Sequence, residues 1–440
     1  MNNNTRVLVI SHNVFDKHSA MGKTLSSFFQ NHDSNSLAQL YFHSEVPTSK
    51  ICKQYYRITD TDAFKSIFKK TDNIGNAYFD VDIDETLNSS RTDRGFQQKV
   101  YSFGRRRTPS IYLARNFVWN HSKWFSNNLI SWINNFKPEV IFFASGDYSF
   151  SYEIAYKIST FFNLPIVMYC CDDFYTRKTS FGLLSHLVKK RLICSLNKCL
   201  KRSTDMICIC DKMAQSYSQL FSTNIRVVYT GYSINSVDQN CKRSREIVYL
   251  GNLGYDRSDS LVDIGKALKK VSNILSKDYC LDVYSSENRK RILKKMTPRN
   301  GIRFHPPVSS NKVAEVMKDS LIVIHTESFK KKNINKVHLS ISTKIADILH
   351  SGTCCFAYGP ECIASMNYLH GNNAAICIFN KNDLVKSLCD IIGNEKAREA
   401  VISNAKELAN TNHNPYKISS AIEEIIDSSR IVWKNENNQH

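Results

Sequence analysis

No stretch of this 440-residue chain approaches the run of about 18 to 20 apolar residues that a membrane-crossing helix requires. The opening MNNNTR lacks the apolar core of a signal peptide. No Cys-x-x-Cys spacing occurs among the 14 cysteines, which removes a zinc ribbon and a thioredoxin-type site. The pairs Cys170-Cys171 and Cys354-Cys355 lie inside apolar, strand-like runs, as buried free thiols in a reducing compartment would. An intracellular chain that does not cross a bilayer is expected. A complete phosphate loop is also missing. Gly22-Lys23-Thr24 supplies the end of a Walker motif, but the glycine required five positions earlier is Lys17, so a nucleoside-triphosphatase is not expected. Acidic residues are scarce: 40 Asp and Glu stand against 59 Lys and Arg, a net charge of +19 that calls for an anionic partner or a merely solvated basic surface.

What the chain does have is alternation. Strand-like runs at 6–10, 37–43, 139–145, 165–170, 205–210 and 225–230 are separated by helical patterns such as 149–162 and 212–221. Short apolar, β-branched runs between helices are the mark of a parallel sheet covered on both faces. Residues 233–246 are polar and aperiodic, a linker. The alternation then restarts, with strands expected at 246–251, 281–286, 302–307, 321–326, 353–358 and 374–379, and helices at 259–276, 287–296, 310–318 and 342–350. The fold class expected is α/β: two Rossmann-like domains in tandem, spanning 1–235 and 245–415, with a helix in 416–440 packing back on the first domain. Ligands of such sheets sit beyond the carboxyl ends of the strands, so a cleft between two such domains is the default site.

The restart VYLGNLGYDRSDSLVDIGKAL, followed by SISTKIADILHSGTCCFAYGP, resembles the donor domain of GT-B glycosyltransferases, most closely retaining glycosyltransferase family 4. The opening of the chain fits too: a strand, a loop with His12, then a helix containing GKTL. The resemblance implies a nucleotide-sugar donor as co-substrate, with Gly251, Gly254, Arg257, Thr326, Ser342, Lys344 and Asp347 holding it. In it, Lys344 meets the diphosphate and Asp347 the ribose hydroxyls. The residues allow this chemistry by themselves. Gly251 and Gly254 come between a strand and a helix, where N–H groups and the helix end can face phosphate, as a plain tight turn also would. Arg257 can add a charge-assisted contact. Ser342 is the expected N-cap, with Lys344 and Asp347 three apart on one helical face, the spacing also of an ordinary surface ion pair. No metal is expected, because cationic side chains and helix dipoles can carry the diphosphate charge. One departure stands out: the family often has a Glu-x7-Glu pair ending at the Asp347 position, and Leu339 occupies the first place. Glu327 lies too far upstream to match by spacing.

In the first domain His12, Asp147 and Asp173 follow strands and are the catalytic candidates, as general base or as stabilisers of positive charge, or else turn residues. Gly22 is expected to ease close approach, with Lys23 and Thr24 on an anionic substrate or in a solvated first turn. The excess charge concentrates in 104–137 and 174–204, which hold six and eight basic residues and no acid. Trp119, Trp124 and Trp132, with Phe125, Leu129, Ile133 and Phe136 at helical spacing, accompany the first segment; Leu184, Val188, Leu192 and Leu196 stripe the second. Basic residues beside apolar faces suit a bilayer surface, and equally a domain core with solvated charges. No recognition-helix or RNA-binding signature accompanies them, so no nucleic acid is expected. The expected function is transfer of a sugar from a nucleotide sugar to a lipid-linked saccharide, at the cytoplasmic side of an anionic membrane. A sugar-nucleotide epimerase, or a membrane-associated binding protein with a lapsed donor site, are the alternatives.

Overall fold

The computed structural model describes residues 5–16, 20–47, 49–68, 74–79, 108–178, 182–233 and 246–437. The chain divides into two compact units, one formed by residues 1–228 and 416–440 and the other by 229–415.

The first unit is built on eight strands: β1 (Val7–Ser11), β2 (Leu37–Tyr41), β3 (Gln54–Arg57), β4 (Asn76–Phe79), β5 (Val140–Ser145), β6 (Ile166–Cys170), β7 (Ser203–Cys208) and β8 (Asn224–Val227). Their spatial order is β4-β3-β2-β1-β5-β6-β7-β8. All neighbours run parallel except the β3–β4 pair, so the antiparallel member sits at the edge. Strands β1, β2, β5 and β6 are buried at every position, as largely apolar runs require when helices cover both faces, with Gln39 the buried polar exception in the middle of β2. Helix Asn127–Phe136 shows how the sequence sets a boundary: the Ser126 hydroxyl accepts from the Leu129 amide, and Lys137 closes the helix in the left-handed region. Helix Pro415–Asn437 packs within this unit: Arg430 pairs with Glu139 at 3.3 Å, and the Trp433 indole donates to the Asn163 carbonyl at 3.1 Å.

The second unit holds six parallel strands: β9 (Ile247–Leu250), β10 (Leu281–Tyr284), β11 (Ile302–His305), β12 (Ile322–Thr326), β13 (Cys354–Tyr358) and β14 (Ile376–Ile378), in the order β11-β10-β9-β12-β13-β14. This is the doubly wound order, which reverses direction between β9 and β12. Helix Arg257–Leu275 lies so close to the turn at residues 300–301 that a Cβ on Gly265 would stand 2.2 Å from the Asn300 carbonyl oxygen. Leu261, Ile264, Leu268 and Val271 of that helix carry its apolar face into the sheet.

The tryptophan stripe belongs to the core. Trp119, Trp124 and Trp132 are 1%, 8% and 5% exposed, and Leu129, Ile133 and Phe136 are buried with them, so these side chains offer nothing to a bilayer. Periodicity reported a real apolar face, and neighbouring elements cover it: Trp119 stacks on Phe150 of helix Ser149–Phe162, and Trp132 lies against Tyr56 of β3. Lys189 is likewise no membrane contact: its ammonium donates to the carbonyls of Phe174, Tyr175 and Arg177 at 2.6, 2.5 and 3.2 Å. Arg105, Arg106 and Arg107 lie outside the described residues, as do Lys17 and the linker residues 234–245. Among the described residues no helix is long and apolar enough to cross a membrane.

Candidate functional site

In a doubly wound sheet the crevice forms where strand order reverses, because the two flanking loops diverge to opposite faces. In the second unit those loops follow β9 and β12. The first begins with Gly251, and the second carries Glu327 directly after Thr326. Lys344 opens helix Lys344–His350 and reaches this point. Its ammonium donates to the Leu250 carbonyl at 3.0 Å and occupies the space beside Gly251, where a Cβ would stand only 1.8 Å from Nζ. Burial first, and then the Arg257 charge, lowers its pKa from 10.5 to about 8, against the opposing pull of Glu327 and Asp347. Among the described residues no carboxylate lies within ion-pair distance of this ammonium. The seat is therefore cationic and its positive charge is unneutralised.

Arg257 stands at the first turn of helix Arg257–Leu275. Glu327 holds its guanidinium by two parallel bonds, Nε–H to Oε2 at 3.1 Å and Nη2–H to Oε1 at 2.9 Å. Glu327 is 2% exposed, and its backbone is fixed by Ser260 on its carbonyl and by its own N–H on Tyr358. The carboxylate that spacing set aside is thus inside the site, aligning the arginine. Beside it, burial pushes the His325 imidazole down to about 3, with Arg257 and Lys344 adding to the effect, so the ring is neutral. Its Nε2 lies 3.8 Å from Glu327 Oε1 and has no hydrogen-bond partner among the described residues. Nothing in a lone His before Thr326 announced it.

The remaining predicted donor-site residues are placed as follows. The Gly254 N–H donates to Asn252 Oδ1, and Tyr255 and Asp256 take positive φ to turn the chain into the helix. The amide of Asn333 closes this turn on Tyr255 and Asp256, a contact that, with Lys332 and Lys330, holds the Asp256 carboxyl at about 2. The Thr326 hydroxyl donates to the Tyr358 carbonyl at 2.7 Å, a sheet contact rather than an open group. Asp347 accepts from the Ser233 N–H at 2.8 Å. Ser342 is not the N-cap: Thr343 holds that position with no side-chain bond, and Ser342 contributes its carbonyl to Ile345. Leu339 is buried.

In the first unit the reversal lies between β1 and β5, and it brings two of the three predicted catalytic residues together. His12 follows β1, its ring 5.5 Å from Tyr148 and 5.6 Å from His43. Asp147 follows β5 and accepts from the Tyr112 hydroxyl, while Tyr112 stacks on Tyr148 at 5.1 Å. The β1 loop is held by Gln39, which donates to Ser11 Oγ and the Asn13 carbonyl and accepts from the Phe15 N–H. Asp173 is elsewhere. It is 1% exposed and accepts from the N–H groups of Tyr175 and Thr176 and from the hydroxyls of Thr176 and Tyr217. With its oxygens filled, it holds a loop. Gly22, Lys23 and Thr24 lie in helix Ala20–Phe28, with Thr24 buried rather than in a solvated turn. An Asp-x-Asp spacing does occur, at Asp60 and Asp62, but Asp60 accepts from Arg115 and Trp119, and Asp62 from Thr59. Two more, Asp80-Val81-Asp82 and Asp82-Ile83-Asp84, lie outside the described residues. No group of three potential metal ligands is found among the described residues.

No protein-family profile and no curated protein matches the sequence. Solved structures do match its architecture. HepE of Anabaena, crystallised with UDP, superposes with a TM-score of 0.63 at 10% identity over 96% of this chain and 100% of that one. WaaG, a glycosyltransferase of lipopolysaccharide biosynthesis, gives 0.56 at 12% identity over 96% and 99%. The trehalose 6-phosphate synthase of Burkholderia multivorans gives 0.60 at 10% identity over 97% and 99%. Identities this low speak for architecture, and the architecture of this chain is the GT-B fold.

Proposed function

We propose that the protein is a glycosyltransferase that takes a sugar from a nucleotide-sugar donor held at the β9–β12 reversal. The observation that carries this reading is the Lys344 ammonium, partly buried against the Gly251 backbone beside Arg257, with no carboxylate among the described residues to neutralise it. A diphosphate fits that seat. In transfer, the bond from the anomeric carbon to the diphosphate oxygen breaks, and the electron pair leaves on the diphosphate, where Lys344 and Arg257 meet the charge. The acceptor hydroxyl forms the new bond to that carbon and gives up its proton to a base, for which Asp147 and His12 are the candidates. HepE and WaaG share the fold, and the crystals of HepE contain UDP, which makes a uridine nucleotide the first donor to try.

The finer reading is a lipid-linked saccharide acceptor in surface-polysaccharide assembly, met at the inner face of an anionic membrane. Its support is helix Leu183–Leu200, whose first turns expose Leu183, Leu184 and Leu187 (90%, 50% and 40%) ahead of the exposed Lys190. Thermal-shift screening with UDP-, GDP- and other nucleotide sugars tests the core of the proposal. At 100 times Kd a true donor adds about 2.7 kcal/mol to stability. If no nucleotide or nucleotide sugar raises the melting temperature, the donor reading fails.

A further inference from the structure

In the first unit, residues of helices Pro109–His121, Ser149–Phe162 and Leu183–Leu200 line an open groove of about 750 Å³. That volume lies within the range of real ligand sites. The groove's charge is not self-contained. Glu153 is already neutralised: it accepts from Lys198 at 2.9 and 3.1 Å and from Ser195 at 2.8 Å. Two further cations on the wall, Lys157 and Arg191, have no carboxylate in ion-pair range among the described residues. Lys157 is held over the rings of Trp124 and Phe125 at 5.3 and 4.5 Å, so its position is fixed by aromatic faces and not by an anion.

The wall also carries exposed polar groups: Asn120 and Thr160 bring an amide and a hydroxyl that can donate to and accept from ligand hydroxyls, whereas the Asn116 Oδ1 is enclosed by protein. Aromatic surface completes the lining: Tyr156 is half-buried, and Phe161 is largely exposed on the same helix. A ligand that suits these features has apolar faces, hydroxyls that both donate and accept, and negative charge. A simple anion has no use for Asn120 or the rings, and a neutral sugar leaves Lys157 and Arg191 unmatched.

We propose that this groove binds an acidic oligosaccharide, with its carboxylates at Lys157 and Arg191, a hydroxyl at Asn120, and ring faces on Tyr156 and Phe161. That the bound glycan is part of the acceptor rests on the glycosyltransferase reading; the binding itself does not.

The probe is tetragalacturonate, titrated into the full chain by calorimetry, with neutral maltotetraose and phosphatidylglycerol vesicles as comparisons. Tetragalacturonate should bind, maltotetraose at least about tenfold more weakly, and hydrogen-exchange protection should appear at 149–161 and 191–198 of the unmodified protein. Lys157→Gln with Arg191→Gln, both on exposed side chains, should weaken binding at least about tenfold, the loss of one or two charge-assisted contacts. Phe161→Ala should weaken it as well. No binding at millimolar tetragalacturonate, equal affinity for maltotetraose, or unchanged affinity in the double variant would overturn the proposal. So would vesicles displacing the glycan, since the groove would then be membrane surface. Nucleotide binding at Lys344 is measured on the same samples. Its absence alongside intact glycan binding would remove the transferase reading and leave the groove standing.

Discussion

The Lys344 ammonium fills the space in which a side chain on residue 251 would begin, 1.8 Å from the position of a Cβ on Gly251. The glycine is thus the floor of a lysine seat, and the lysine's bond to the Leu250 carbonyl fixes it there. Gly251→Ala should expel the ammonium from this seat. The lysine side chain can move away, but Gly251 holds φ +157°, where an alanine is strained, so the melting temperature should also drop; in the folded protein donor affinity should fall about 10- to 100-fold, as for loss of a charge-assisted contact. Lys344→Ala should give the same loss, and the two changes together no more than either. Calorimetric titration of the nucleotide sugar into the three variants checks this; additive losses would mean that glycine and lysine act separately.

Lys344 also makes binding pH-dependent. Its pKa is lowered by burial from 10.5 to about 8, so between those values the unfolded chain holds a proton that the folded chain has lost. Stability of the unliganded protein should therefore gain from this group as pH rises through that window. Diphosphate binding should do the opposite. It requires the ammonium, so affinity should fall above about pH 8, and binding at pH 8.5 should take up a proton. Calorimetry in two buffers of different ionisation enthalpy reads the uptake directly, and none should remain in Lys344→Arg.

Glu327 and Arg257 form a pair in which one member is almost wholly enclosed. Removing only the carboxylate, as in Glu327→Ala, strands a guanidinium and should cost about 3–5 kcal/mol of stability. Replacing both, as Arg257→Met with Glu327→Leu, should restore most of that stability, since apolar replacements of a buried pair are often neutral. The double variant should still lose donor binding, because stability is recovered without the charge. Chemical denaturation and nucleotide titration separate the two effects.

The long apolar strands were readable because burial on both faces leaves an unbroken run, as VLVIS and VIFFAS show. Strands β3, QYYR, and β4, NAYF, went unread: β4 is the largely exposed edge strand, and β3 beside it buries only its two central tyrosines, so neither carries such a run. Helix Leu384–Gly393 was missed although Leu384, Leu388, Ile391 and Ile392 recur at helical spacing. Lys344 and Gly251 were named from motif, but Glu327 was set aside on linear spacing. Spacing governs neighbours only along one helix. Glu327 meets Arg257, 70 residues away, because β12 lies beside β9 in the sheet. His325 gave no signal at all, since a single imidazole at a strand end is chemically silent until its neighbours are known.

Membrane attachment now rests on three leucines. If Leu183, Leu184 and Leu187 enter the bilayer surface, changing all three to Ser should abolish co-sedimentation with anionic vesicles without lowering the melting temperature, since these side chains are exposed. Salt should weaken binding of the parent only in part, because charge is screened over about 8 Å at physiological ionic strength while apolar insertion is not. Replacing Trp119, by contrast, should unfold the unit rather than release it from lipid. Vesicle binding that survives the triple change would remove the membrane from the proposal.

The two aspartates of the first unit should behave differently under the same change. Asp173 accepts from four donors, so Asp173→Ala leaves several buried polar groups unpaired at about 1–3 kcal/mol each. The melting temperature should drop sharply, and any loss of activity should follow the loss of folded protein. Asp147 is partly exposed at the β1–β5 reversal, in one cluster with His12, Tyr112 and Tyr148. Asp147→Asn keeps the shape and can still accept from Tyr112, so stability should change little. If Asp147 takes the acceptor's proton, kcat should fall by about 10²- to 10⁴-fold, the usual worth of a general base, with donor affinity untouched. Measuring turnover and melting on both variants decides the assignment: full turnover by folded Asp147→Asn would leave His12 as the base to test.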